Sequence, residues 1–111
     1  MTTLPPLLRK AKKARRTKRI RCQAHLKWVR QHACSVPGCQ FTPIEAAHIR
    51  LGTDGSTGEK PGDQWTISLC PYHHGRQHAV GEKRFASAHS IDLMALAEEF
   101  ARQSPHRDKL K

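Results

Sequence analysis

Apolar residues recur at helical spacing near the C-terminal end of the chain. The pattern i, i+3, i+4, i+7 predicts an amphipathic helix with one buried face. The four positions are Leu93, Leu96, Ala97 and Phe100. Ser90 is placed as an N-cap, so this helix is predicted over 91–103. A shorter helix is predicted over 82–88, and residues 104–111 are expected to fray.

The middle of the chain shows strand patterns instead. Residues 65–69, Trp-Thr-Ile-Ser-Leu, alternate and predict one strand, and residues 41–49 predict an earlier strand or hairpin arm. Between them, residues 52–64 have the Gly-rich polar composition of a loop. A loop this long in a small domain is more often functional than idle. A helix predicted over 72–79, ended by Gly81, completes a strand–strand–helix order.

Positive charge is concentrated upstream of this core. The formal net charge is +11, and residues 9–21 hold nine of the twenty Lys and Arg without any acid. These nine are Arg9, Lys10, Lys12, Lys13, Arg15, Arg16, Lys18, Arg19 and Arg21. Such a run releases counterions when it meets phosphate, so it predicts nucleic-acid binding. The alternative is a solvated run that only aids solubility.

The length and composition of the chain limit the number of domains that it can form. The chain has 111 residues with few aromatics, which predicts one domain with a thin core. We divide it into a basic tail over 1–21, a domain over 22–104 that begins with a helix near 25–32, and a C-terminal tail over 105–111. No signal-peptide pattern and no run of about 18 apolar residues is present, so neither secretion nor membrane insertion is expected.

Two pairs of potential metal ligands lie about thirty residues apart. Cys34 and Cys39 form a Cys-x4-Cys pair around Pro37-Gly38, and Cys70 and His73 form a Cys-x2-His pair. In a reducing compartment such pairs indicate a metal site and not disulfides. Four ligands of this kind predict a structural zinc, which stabilises a small core. Cys22 lies outside both pairs and is interpreted as an ordinary thiol.

Three histidines remain near this zinc site. His74 and His78 are i, i+4 on one predicted helix, so both can ligate one cation. His48 lies near the end of the first predicted strand, which the helix is expected to face. The remaining histidines have no such context and are interpreted as surface or packing residues. They are His25, His32, His89 and His106.

These motifs resemble the HNH, or His-Me finger, nucleases over about residues 34–80. Ala47-His48 matches the end of that family's first strand, and Trp65-Thr-Ile-Ser-Leu-Cys70-Pro-Tyr-His73-His74 matches its second strand and helix. The chain is most similar to phage nucleases of the recombination-enhancing (Ref) type, which also carry a basic tail. The narrower matches are His25-Leu-Lys-Trp-Val-Arg30, Ala46-Ala-His-Ile-Arg50, Gly58-Glu-Lys-Pro61 and His78-x-x-Gly81-Glu-x-x-Phe85.

The resemblance implies an α+β fold with a small ββα-metal core and a zinc knuckle, flanked by helices. It implies that His48 is the general base, and that His74 and His78 bind a catalytic Mg²⁺ or Mn²⁺. The implied activity is endonucleolytic hydrolysis of single- or double-stranded DNA during phage or bacterial recombination. It also implies a recombinase filament as a partner, and the cytoplasm of a bacterium or a phage-infected host as the location.

Two departures from the family pattern leave alternatives open. Ala47 stands where an Asp or His ligand is usual, and Trp65 replaces an Asn that steadies the loop. Asp63, just before the second strand, is the first substitute for the missing metal ligand, with Glu45 or water as others. The main alternative function is a non-catalytic, zinc-stapled DNA-binding or recombination accessory protein. A third is an RNA-binding or ribosome-associated zinc protein.

Overall fold

The computed structural model of the protein describes residue 4, residues 19–55 and residues 59–111. In this part of the chain a two-stranded sheet is surrounded by four α-helices, which confirms the predicted α+β class. The elements are α1 (Gln23–Val29), β1 (Glu45–His48), β2 (Thr66–Leu69), α2 (Pro71–Val80), α3 (Glu82–His89), α4 (Leu93–Gln103) and a 3-10 helix (Arg107–Leu110).

The two strands form a short antiparallel pair that places His48 at one end. Glu45 pairs with Leu69 at one end of the ladder, and His48 pairs with Thr66 at the other. Strand β1 begins at Glu45 and not at the predicted Phe41. Pro43 lies between these positions and has no backbone N–H for a ladder hydrogen bond, which explains the shorter strand.

The core lies between the sheet and α3 and α4. Phe85 from α3 and Ile67 from β2 are buried with Ala97 from α4. Leu96 and Phe100 pack against this cluster, so the apolar stripe predicted for the last helix is confirmed. The cluster also includes two of the predicted zinc ligands, Cys34 and Cys70, and Cys39 packs against it. The candidate metal-ligating residues are therefore continuous with the core.

Helices α2 and α3 follow β2 with almost no connection. Pro71 occupies the first turn of α2, where a missing N–H costs nothing. Gly81 ends α2 and starts α3 with a φ of 88°, a left-handed conformation that favours glycine. The predicted end of the histidine-bearing helix at Gly81 is therefore confirmed.

Two predictions about the C-terminal third are wrong. Ser90 is not the N-cap of α4; it ends α3 in the left-handed conformation, with a φ of 53°. Asp92 caps α4 instead, because its carboxylate accepts the N–H of Ala95 at 3.0 Å. Residues 104–111 do not fray, since the 3-10 helix buries Leu110.

The boundary of the basic tail also differs from the prediction. Residues 19–21 pack against the loop that precedes β2. The N–H of Asp63 donates to the carbonyl of Ile20 at 2.8 Å, and Arg19 forms an ion pair with Glu59. Arg21 donates to the carbonyl of Pro61 at 2.6 Å. These residues therefore belong to the folded domain, while the predicted tail residues 9–18 lie outside the described residues.

A buried histidine joins α1 to the end of α4. His25 has no exposed surface, and its Nδ1 is 2.9 Å from Oγ of Ser104. This confirms a packing role for His25. Burial lowers the pKa of His25, because the charged imidazolium would lose its hydration. The carboxylate of Asp63 partly opposes this shift, and the nearby His106 lowers the pKa further.

The lowered pKa of His25 predicts a pH-dependent stability. Below about pH 6.5, the unfolded chain takes up a proton that the folded chain resists, so the free energy of unfolding should fall as pH decreases. We expect His25→Asn, which can keep a hydrogen bond to Ser104, to weaken this dependence. The measurement is denaturant unfolding of both proteins at pH 7.5 and 5.5. Protonation of the predicted zinc ligands would affect both proteins equally, so identical slopes would contradict the assignment to His25.

Among the described helices, none combines the length and apolarity needed to cross a bilayer.

Candidate functional site

The first half of the metal centre is held against β2 by hydrogen bonds around two serines. Ser35 N–H donates to the carbonyl of Ser68 at 2.8 Å, and the Ser68 hydroxyl donates to the carbonyl of Ala33 at 2.7 Å. Because β2 leads directly into Cys70, these contacts bring Cys34 beside it. Gly38, with a φ of 80°, allows the tight turn between Cys34 and Cys39.

The four predicted zinc ligands converge on one point. The ligand atoms of Cys34, Cys39, Cys70 and His73 all lie within 4.8 Å of one another. The Sγ atoms of Cys39 and Cys70 are 3.9 Å apart, and Nδ1 of His73 lies 3.3 Å from Cys70 Sγ and 3.5 Å from Cys34 Sγ. Ligand bonds of about 2.0–2.3 Å in a tetrahedron give edges of about 3.5–3.8 Å. The cluster can therefore bind a metal such as zinc.

The protonation chemistry of this cluster also suits a metal. All four cysteines are free thiols, so no disulfide competes for the sulfurs. Burial, followed by neighbouring His89, lowers the pKa of His73 and favours the neutral imidazole that ligates metals. The N–H of Phe41 lowers the pKa of Cys39, whereas burial raises the pKa of Cys34. Metal binding would then release a proton from Cys34.

The catalytic candidate His48 lies at the end of the strand ladder opposite to Cys70 and is held by a carboxylate. Its Nε2 is 2.9 Å from Oδ1 of Asp63. Its backbone carbonyl accepts a hydrogen bond from Nε2 of Gln77 at 3.3 Å, which connects the end of β1 to α2. His48 is partly exposed, with 16% of its side chain accessible, so one side of the ring meets solvent.

The two other predicted ligands form a close pair on α2. Nε2 of His78 lies 3.2 Å from Nε2 of His74, as expected for side chains one helical turn apart. On its other side, Nδ1 of His74 is 2.9 Å from Oε1 of Glu45 at the start of β1. Glu45 is about half exposed and His74 about a quarter, so this group is open to solvent.

A cavity of about 640 Å³ lies beside His48 and His78. His48 and His78 both line it, together with residues from the start of α3 and the segment after β1. Among its charged lining residues the cations Arg50, Lys83 and Arg84 outnumber the single acid Glu82. A positively charged cavity of this size beside imidazoles can receive a phosphate group.

Sequence reasoning missed two residues that shape this cavity. Glu82 accepts the backbone N–H groups of Arg50 and Leu51 at 2.8 and 2.7 Å, and so ties α3 to the end of β1. Gln77 is buried, and its Oε1 has no hydrogen-bond partner. Its position three residues after His74, on the same helical face, was the available indication.

The structure separates Asp63 from the α2 histidines to which the sequence assigned it. Within residues 19–55 and 59–111, the Cys34 cluster is the only group of three or more metal-ligating side chains. Asp63 bonds to His48 and Arg21, and Glu45 is the acid beside His74. Of the nine predicted nucleic-acid-binding cations, only Arg19 and Arg21 lie in the described part, and both bond to acidic side chains.

The chain belongs to the family described as "Protein of unknown function (DUF968)", which matches residues 7–104. Comparison with curated proteins and with solved structures gives no match.

Proposed function

We propose that the protein is a metal-dependent endonuclease that hydrolyses DNA phosphodiesters, in phage or bacterial DNA recombination. The observation that carries this proposal is the shared cavity. His48, held by a buried carboxylate, and His78 of the α2 pair line it together with the cations Arg50, Lys83 and Arg84. A protein that only binds DNA needs cations but no carboxylate-bound histidine, so the arrangement favours chemistry over binding alone.

In this proposal His48 is the general base. A neutral imidazole has a reference pKa near 6.5, so it can take a proton from water at neutral pH. The cationic side chains of Lys83 and Arg84, both exposed at the cavity, attract the phosphate and hold it near His48. The resemblance to HNH nucleases, which includes His48 at the end of β1, supports the same role.

His74 and His78 are the proposed ligands of a catalytic Mg²⁺ or Mn²⁺, with water at the remaining positions of the cation. The 3.2 Å between the two Nε2 atoms fits two imidazoles sharing one cation with bonds of about 2.1 Å. Glu45 contacts Nδ1 of His74, the ring nitrogen that does not face His78, so it orients His74 as a ligand and does not itself reach the cation. When bound, the cation supplies charge stabilisation of the phosphate and the leaving oxygen.

The alternative is a non-catalytic, zinc-stapled DNA-binding or recombination accessory protein. Ala47 favours it, because the usual ligand position is a buried core residue opposite Ile67 and cannot bind a cation. Without that ligand the site would keep its fold and its positive charge. The basic tail by itself would be enough for an RNA-binding or ribosome-associated role.

The test that separates these functions is incubation with circular single-stranded and double-stranded DNA. Each DNA is combined with EDTA, Mg²⁺ or Mn²⁺, with and without a recombinase filament. The endonuclease proposal expects metal-dependent nicked or linear products. Binding of every DNA form without any cleavage would support the accessory protein. A preference for RNA in the same binding assay would support the RNA-binding alternative.

The basic tail should contribute affinity and not chemistry. Deleting residues 1–18 removes seven cations but keeps Arg19, whose ion pair with Glu59 belongs to the fold. We expect weaker DNA binding and a shallower salt dependence, by about 0.9 in the slope of log affinity against log salt for each lost phosphate contact. Cleavage at saturating protein should persist. An unchanged slope would show that the tail makes no phosphate contacts.

A further inference from the structure

We propose that Asp63 is a positioning residue for the general base His48, and is not a ligand of the catalytic cation. The predicted effect on cleavage rests on the proposed function. The predicted effect on which nitrogen of His48 carries the proton does not. It also corrects the role that the sequence suggested for Asp63.

The side chain of Asp63 is fully engaged away from solvent. Only 2% of it is exposed. Oδ1 accepts from Nε2 of His48 at 2.9 Å and from Arg21 at 3.3 Å, and Oδ2 accepts the backbone N–H of Cys22 at 2.8 Å. A cation-binding carboxylate needs an oxygen turned towards the cation. Both oxygens of Asp63 are already used by protein donors.

The backbone of Asp63 is fixed as firmly as its side chain. Its N–H donates to the carbonyl of Ile20 at 2.8 Å, and its carbonyl accepts the hydroxyl of Thr66 at 2.9 Å. Thr66 is the residue that pairs with His48 in the sheet. Asp63 therefore lies just before β2 and is bonded to its first residue, while His48 ends β1, so the contact between the two side chains depends on the register of the sheet.

This contact decides which nitrogen of His48 carries the proton. An ionised carboxylate can only accept hydrogen bonds, so Nε2 of His48 must be the donor. In the neutral ring Nδ1 is then unprotonated and can accept a proton from water. Arg21 forms an ion pair with the same oxygen. Asp63 thus selects the tautomer and the ring orientation that a general base requires.

The test is the substitution Asp63→Asn. The Cys22 N–H requires an acceptor, so the amide oxygen takes that place and the amide NH₂ turns towards His48. The amide then donates to Nε2, which moves the ring proton to Nδ1 and removes the base. We expect cleavage to fall about 10²–10⁴-fold through kcat, with DNA affinity unchanged. Nitrogen-15 NMR of the histidines at pH 8 should show the Nε2–H tautomer of His48 in the wild type and its loss in the variant.

Asp54→Asn is the matched control. Asp54 lies in the same loop and accepts the backbone N–H of Gly62 at 2.8 Å, a bond that an amide oxygen can keep. We expect this variant to keep full activity and an unchanged His48 spectrum.

Each outcome separates this inference from the proposed function. Full cleavage by Asp63→Asn, or a wild-type His48 with its proton on Nδ1, would overturn the positioning role. The wild-type spectrum decides this even if Asp63→Asn does not fold. A wild type that shows the Nε2–H tautomer but cleaves no DNA would uphold the contact and reject the nuclease.

Discussion

Replacing Cys34 with serine should release the metal and unfold most of the domain. Cys34 contributes one of four converging ligands, and the same side chain belongs to the hydrophobic core. Apparent zinc-binding free energies in small zinc domains are about 10–16 kcal/mol, comparable to or larger than the whole stability of a typical domain. Elemental analysis should find about one zinc per chain in the wild type, as one four-ligand site requires, and little in the variant.

Cys22→Ser is a matched control for this experiment. Cys22 and Cys34 are equally buried, with 6% and 7% exposure, but Cys22 lies outside the cluster. Burying a serine hydroxyl in place of a thiol should cost about 1–3 kcal/mol in either case. Any additional loss of stability in Cys34→Ser relative to Cys22→Ser therefore measures the contribution of the bound metal. Equal zinc content and equal unfolding midpoints for the two variants would contradict the zinc assignment.

The cysteine and histidine cluster and the helical histidine pair could be predicted because they depend on short spacings. Cys70 and His73 share the first turn of α2, so the sequence alone places them together. His74 and His78 share a helical face by the same argument, and their 3.2 Å contact follows. The distant pair of Cys34 and Cys39 was found only because zinc requires four ligands, which links two sites separated in sequence.

The role of Asp63 could not be predicted, because it depends on contacts across a loop. Sequence position placed Asp63 before β2, near any site that β2 supports. Its actual partners are His48, Arg21 and Cys22, which lie 15 and about 40 residues away. Hydrophobic periodicity does not report such polar contacts. The prediction of Ser90 as an N-cap was wrong for a related reason. Both Ser90 and Asp92 are residue types that suit an N-cap, and the left-handed conformation of Ser90 at the end of α3 leaves that position to Asp92.

Replacing His48 with alanine should abolish cleavage while leaving the fold, the zinc content and DNA affinity unchanged. His48 is proposed as the base that takes a proton from water, so its loss acts on the chemical step. General-base contributions are typically about 10²–10⁴-fold, which a plasmid assay resolves. The matched control is His106→Ala, the same substitution at a residue that does not line the cavity, and full activity is expected.

The comparison of His48→Ala with His74→Ala assigns separate roles to the two histidines. Loss of His74 removes a proposed cation ligand that also contacts Glu45, so it should weaken metal binding without removing the base. High Mg²⁺ or Mn²⁺ should then restore part of the activity of His74→Ala and none of that of His48→Ala. Rescue of both variants would contradict a base role for His48. Normal cleavage by His48→Ala at ordinary metal concentration would show that His48 is not the general base. The accessory-protein function would then account better for a cavity that keeps its cations and its fold.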